Sequence, residues 1–293
     1  MQDNTLELSD GRALGFADYG RSDAVPVMLF HGTPGSRVYG LDGDHLLDEF
    51  GVRVVCPERP GYGLSDPDPG RTIPEWAADL EELADHLGLG RFHVAGESGG
   101  GPYVLACAIQ MPKRVSSATL IGSASPPEAL RLTKDTALAN RLAFFFARHA
   151  PLVTKVLSAS FARAVEKHPD KVMQGLMSRL CEWDRRTVEE GGDRTRDMLM
   201  LHFKEAFRQG AGGHYTDTLL LSRPWGLDFG TTMVPVFMWH GESDTLVPIE
   251  PAKVFSRMIP GCESHVIPGA GHLLLESEPV RKEILARLLT VKD

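Results

Sequence analysis

Near-continuous apolar runs recur along this chain, separated by helical stretches, and that alternation narrows the possible folds more than any other feature. Pro26–Phe30 stops at His31-Gly32, Val52–Cys56 stops at Pro57, and Ser117–Ile121 and Val234–Trp239 read the same way. Strands without polar alternation are buried on both faces, as in parallel sheets covered by helices. Between them, Ile73–Gly88 spaces Leu80, Leu83, Ala84 and Leu87 as one face of a helix, with Gly88 near its end. Pro102–Ile109 reads as a further helix. At the N-terminal end, Thr5–Leu8 and Ala13–Ala17 flank Ser9-Asp10-Gly11-Arg12, which predicts an antiparallel hairpin.

The alternation breaks at Ser125-Pro126-Pro127. From there to Pro224 only helices are expected, over Glu128–Arg148, Leu152–Glu166, Asp170–Cys181 and Asp193–Gln209. It resumes with Val234–Trp239, the helix Pro251–Met258, the strand Ser264–Ile267 and the helix Pro279–Leu289. The expected organisation is therefore a core of residues 1–124 and 231–293 with a helical block, 125–230, inserted into it. At 293 residues the chain has ample length for both.

Composition excludes several function classes. A net charge of −8 argues against a phosphate-binding surface, so no nucleic-acid partner is expected. Cys56, Cys107, Cys181 and Cys262 form no CxxC pair and read as buried thiols in a reducing compartment, with no metal role. No basic start followed by an apolar run opens the chain, and no stretch approaches the roughly 20 apolar residues that span a membrane. A cytoplasmic protein without a membrane partner is expected.

The chemistry is concentrated at Gly96-Glu97-Ser98-Gly99-Gly100. It lies between the β-favouring Arg91–Ala95 and the helix Pro102–Ile109. A serine on a glycine-flanked turn from strand to helix is the nucleophile-elbow pattern, in which the hydroxyl is exposed. Alone, such a short motif is a weak signal.

The wider pattern resembles the α/β-hydrolases over about Leu14–Leu289. It is carried by His31-Gly32-Thr33-Pro34-Gly35, the segment Arg59–Ser65, the Ser98 elbow, the segment His240–Pro248 and Gly269-Ala270-Gly271-His272. The resemblance implies a mostly parallel eight-stranded sheet with helices on both faces and an all-helical cap inserted after the sixth strand. It also implies the chain order serine, acid, histidine. Ser98, Asp244 and His272 obey that order as nucleophile, acid and base. Glu242 is the rival acid, and the resemblance of Gly241–Pro248 to the family's loop favours Asp244. The implied oxyanion donors are the backbone N–H groups of Thr33 and Gly99. His31 and Arg59 read as bracing residues.

A serine at the elbow points to acyl transfer, and this chemistry requires no cofactor. The inserted block is rich in Phe, Leu and Met, among them Phe144, Phe145, Phe146, Leu152, Phe161, Leu176 and Met198. Most are expected to pack the block itself, and the rest to form an apolar wall of a pocket. Phe145 and Trp225 are candidate substrate contacts. The leading expectation is a hydrolase of small hydrophobic esters, as a monomer or homodimer. A proline iminopeptidase-like reading would hold a substrate amine on Glu182, Asp184, Glu189 or Glu190. Carbon–carbon cleavage, perhydrolysis and a non-enzymatic ligand receptor are further alternatives.

Overall fold

The computed structural model describes residues 3–39, 41, 43–131 and 138–291. Eight strands form one sheet: β1 (Asn4–Glu7), β2 (Ala13–Tyr19), β3 (Val25–Phe30), β4 (Val52–Pro57), β5 (Phe92–Glu97), β6 (Val115–Ile121), β7 (Val236–Gly241) and β8 (Glu263–Ile267). Across the sheet they run β1, β2, β4, β3, β5, β6, β7, β8. β1–β2 and β2–β4 are antiparallel pairs and the remaining pairs are parallel. Gly11 at φ 87° makes the turn that closes the expected hairpin.

Alternation of side chains across the pleat divides the core in two. Met28 and Phe30 of β3 enter one apolar cluster with Trp76, Leu80 and Leu83 of α2 (Trp76–His86), α3 (Gly101–Gln110) and Phe255 of α11 (Ile249–Met258). Val27 and Leu29 enter the other, with Leu47 of α1 (His45–Phe50) and Val280, Ile284 and Leu288 of α12 (Glu278–Leu288). Each such side chain contributes about 1.5–3 kcal/mol on burial. Helices thus cover both faces, as the apolar runs require.

Between β6 and β7 lie only helices among the described residues: α4 (Pro127–Arg131), α5 (Leu138–His149), α6 (Pro151–Lys167), α7 (Pro169–Arg179), α8 (Glu182–Glu190), α9 (Gly192–Ala206) and α10 (Gly212–Leu221). The middle of the helix expected over Glu128–Arg148, residues 132–137, lies outside the described residues. α1, α8 and α10 carry no signal that the sequence reading used. α10 starts at Gly212-Gly213, a pair that argues against a helix, yet Gly213 is required there. A Cβ on it would lie 2.6 Å from Tyr62 Cδ2 and 2.7 Å from the Gly61 carbonyl.

The insert meets the sheet domain through buried polar groups. Asp217 of α10 accepts hydrogen bonds from Arg59 Nε (3.0 Å), Arg71 (2.7 Å), Tyr62 (3.0 Å), Tyr103 (2.7 Å) and Thr33 Oγ1 (2.9 Å). Burial opposes its charge, but Arg59 and Arg71 outweigh burial and hold the carboxyl far below the usual carboxylate range. Arg37, fully buried, bridges Glu58 (3.0 Å) and Glu205 of α9 (2.9 Å). Among the described residues no helix is long and apolar enough to cross a membrane.

Candidate active site

Ser98 follows β5 directly and opens the short 3-10 turn Ser98–Gly100. Its φ of 49° makes it the one non-glycine residue in the left-handed region among those described, at a cost of about 1–2 kcal/mol. The flanking glycines are required by space. A Cβ on Gly96 would lie 2.7 Å from Val104 Cγ2, and one on Gly100 would lie 2.5 Å from the Phe30 carbonyl. The sharp turn can therefore form only with glycine at both positions.

Asp244 and His272 come together 28 residues apart in sequence, with His272 Nδ1 2.7 Å from Asp244 Oδ2. The other oxygen of Asp244 accepts the N–H groups of Leu246 and Val247, each at 2.8 Å. With Asp244 a pure acceptor, Nδ1 of the neutral imidazole carries the proton and Nε2 holds the lone pair. Burial works against the charge of Asp244, but His272 and these donors keep its carboxyl below the ordinary range. Burial likewise pulls the His272 pKa down. Asp244, with further contributions from Glu97 and Asp184, outweighs it and raises the pKa to about 9. Gly122 at the end of β6 leaves room for the ring, since a Cβ there would lie 3.3 Å from His272 Nδ1.

Glu242 is exposed and spends one carboxylate oxygen on the Gly269 N–H at 3.1 Å, bracing the histidine loop. His240 donates to the Val247 carbonyl at 2.8 Å, and burial lowers its pKa. His31 is fully buried between the Gly32 carbonyl and the Arg59 N–H, and burial holds it neutral. The Arg59 guanidinium donates to the carbonyls of His31 (2.6 Å) and Gly32 (2.8 Å) and so holds the loop after β3. Thr33 in that loop faces the serine turn: a Cβ on Gly99 would lie 3.2 Å from Thr33 N. Gly99 belongs to the first turn, where helical N–H groups have no intrahelical partner.

Ser98, Thr33 and His272 all line one cavity of about 590 Å³. The insert supplies much of its wall, including Phe161, Leu176, Met198, Leu199 and Phe203. That wall is more polar than the sequence suggests, because Thr154, Ser158, His202 and His214 also face the cavity. Two carboxylates, Glu97 and Glu276, lie in it as well. Glu97 accepts from Tyr39 at 2.9 Å. Burial, with the charge of Glu97 adding to it, pushes Glu276 up to about 7. Glu276 ends the 3-10 turn Leu274–Glu276, four residues beyond His272, and that nearness in sequence was the only signal available for it.

The two candidate substrate contacts are corrected. Phe145 is 55% exposed, tilted against His149, and lies outside the cavity wall. Trp225 is buried against Phe229 and Phe255 in the sheet domain's own core. Trp225, at the return from the insert, has no pull toward the pocket because an apolar core is nearer.

The carboxylates weighed as amine ligands are placed elsewhere. Asp184 of α8 is fully buried, and its two oxygens accept the N–H groups of His272 (3.0 Å) and Leu273 (2.9 Å). Glu182 pairs with Arg186 at the surface, and Glu189 lines a separate surface groove. What the sequence reading missed is that Asp184 is a brace under the histidine.

A family model for the alpha/beta hydrolase fold matches residues 25–279. The chain belongs to that family. It is 37% identical over 128 residues to a non-heme chloroperoxidase of Streptomyces lividans, a match covering 42% of this chain and 45% of that protein. A non-heme haloperoxidase of Rhodococcus erythropolis is 26% identical over 90% of both chains. An esterase of Thermogutta terrifontis, solved with malate bound, superposes with a TM-score of 0.70 at 25% identity, covering 100% of both chains. The chain spans less than half the length of the first two curated relatives it matches.

Proposed function

We propose that this chain is a serine hydrolase that cleaves small, largely hydrophobic esters through an acyl-enzyme. The observation that carries the reading is one cavity that joins a strained Ser98 to His272, itself held by Asp244 at 2.7 Å. In this reading Ser98 Oγ attacks the acyl carbon while His272 Nε2 takes its proton. Asp244 fixes the tautomer and stabilises the imidazolium. The Thr33 and Gly99 N–H groups receive the developing oxyanion, one of them near the start of α3. His272 returns the proton to the departing alcohol. Water, activated by the same ring, then attacks the acyl-enzyme and releases the acid. No step calls on a cofactor.

Residues 125–230 act here as a cap over a core of 1–124 and 231–293. The apolar side chains of α6, α7 and α9 in the cavity wall favour a hydrophobic acyl or alcohol part. The peptidase reading loses support because Asp184 has both oxygens engaged and Glu182 and Glu189 lie outside the cavity wall. Relatives named haloperoxidases favour a second acceptor. Hydrogen peroxide in place of water would attack the same acyl-enzyme, leaving a peracid and free Ser98.

Ser98→Ala should abolish turnover of p-nitrophenyl esters, by about 10⁴-fold or more, with the far-ultraviolet spectrum and melting temperature retained. A fluorophosphonate probe should label the native protein and spare the variant. Retained turnover in the variant would overturn the assignment. Adding peroxide with a carboxylic ester, and assaying peracid, separates the two acceptors.

A further inference from the structure

Helix α6 is built inside out. Its buried stripe begins with Thr154 and Ser158, both lining the cavity, and continues through Phe161 and Val165. Its outward stripe holds Leu152 (77% exposed), Val153, Val156 (64%) and Leu157. Residues three or four apart share one side of a helix, so these four form a continuous apolar strip. α5, packed on α6, exposes Leu142 and Phe145 at the same spacing. A soluble helix ordinarily shows the reverse arrangement, and single exposed apolar residues are common where a strip of six is not.

The charge around this strip is also out of character for the chain. Across α5 and α6 the charged residues are Arg141, Arg148, Lys155 and Arg163, with the neighbouring Glu166 and Lys167 at the far end of α6, in a protein of net charge −8. Arg141, Arg148, Lys155 and Arg163 are exposed. Arg148 is anchored on the Ser222 carbonyl, and the others have no ion-pair partner among the described residues. An apolar strip with a cationic border matches a surface that offers acyl chains and anionic headgroups together. A second copy of this chain fits worse, because a twofold contact would set the same cationic border against itself.

We infer that the outer face of α5 and α6 docks peripherally on anionic lipid surfaces. The apolar strip enters the headgroup–acyl boundary and Arg141, Lys155 and Arg163 meet lipid phosphates. Leu157 belongs both to this face and to the cavity wall, so the docked face reaches the edge of the substrate cavity. This docking is independent of the hydrolase reading and requires no spanning helix.

The test is flotation of the intact chain with vesicles of phosphatidylcholine alone and of an equimolar mixture with phosphatidylglycerol. Binding should favour the anionic vesicles about tenfold or more and weaken as salt is raised. Val156→Asp and Lys155→Glu should each reduce the bound fraction about tenfold or more. Both should hydrolyse a soluble short-chain ester as the parent does, which also shows that they fold. Equal or absent binding to the two vesicle types would overturn the inference. So would sedimentation showing a dimer that Val156→Asp dissociates, which would give the face to a second copy.

Discussion

The sheet domain and the helical insert are held by opposite kinds of force. In the sheet domain, Phe30, Leu80 and Phe255 are typical: large, apolar, and packed against others of their kind. At the seam with the insert, the fully buried groups are Asp217, Asp184, Arg59 and Arg37, each bonded to several partners. Apolar burial is non-directional, whereas a buried ion pair works in one geometry and is costly in any other. The difference teaches where positional accuracy is needed. Asp217 reaches the loop carrying Thr33, and Asp184 reaches the loop carrying His272. The insert thus helps to hold the two loops that flank Ser98, together with Arg59 and Glu242 of the sheet domain, while the apolar core beneath supplies stability.

That contrast can be broken by substitution, and the largest effect is expected at Asp217. Asp217→Asn leaves Arg59 and Arg71 buried with no carboxylate partner among the described residues and should lower unfolding free energy by about 3–5 kcal/mol in denaturant titration. Phe255→Ala, an apolar control, should cost a similar 3–5 kcal/mol. The two should part in kinetics. Folded Phe255→Ala should keep its kcat, and Asp217→Asn should lose about tenfold or more as the Thr33 loop shifts. Equal kcat losses in both would break the comparison.

A smaller effect is expected at Asp184→Asn, where an amide N–H would oppose the His272 or Leu273 N–H. About 1–3 kcal/mol of stability should be lost, as for a buried donor left without its acceptor. Because the Asp184 charge helps to raise the His272 pKa, the pH profile of kcat/KM should also move to lower pH. An unmoved profile would show that Asp184 acts through packing alone.

The smallest effect is the pH dependence of the parent chain. His272 must be neutral to accept a proton, so kcat/KM should climb with pH and level off above about 9. Stability should move the other way. A histidine with a raised pKa in the fold contributes most below its unfolded value of about 6.5, and that contribution fades as pH rises through about 9. Stability rising over that interval would show that another group governs it.

Legibility from sequence followed the same division. Strands such as Pro26–Phe30 and the Ser98 elbow were readable because hydrophobic periodicity and glycine sterics are local. Ser98, Asp244 and His272 could be nominated because each ends or follows a strand in a fixed order, and the structure pairs Asp244 with His272. Asp217 and Asp184 were not, since their partners lie more than 80 residues away and they occupy helices with weak local signals. α8 is strongly polar and α10 begins with two glycines. Phe145 was misassigned because composition reports that a helix is apolar without reporting which way it turns.

β6 and β7 pair directly, from Ala118 opposite Val236 to Ile121 opposite Trp239, although α4 to α10 separate them in the chain. The insert leaves and re-enters at neighbouring positions, so its length can change over evolutionary time without disturbing the register of the sheet. What each version must preserve is an acidic anchor on either side of the serine. Changes of specificity are therefore open to the cavity-lining side chains of α6, α7, α9 and α10, and closed to Asp184 and Asp217, which are the anchors.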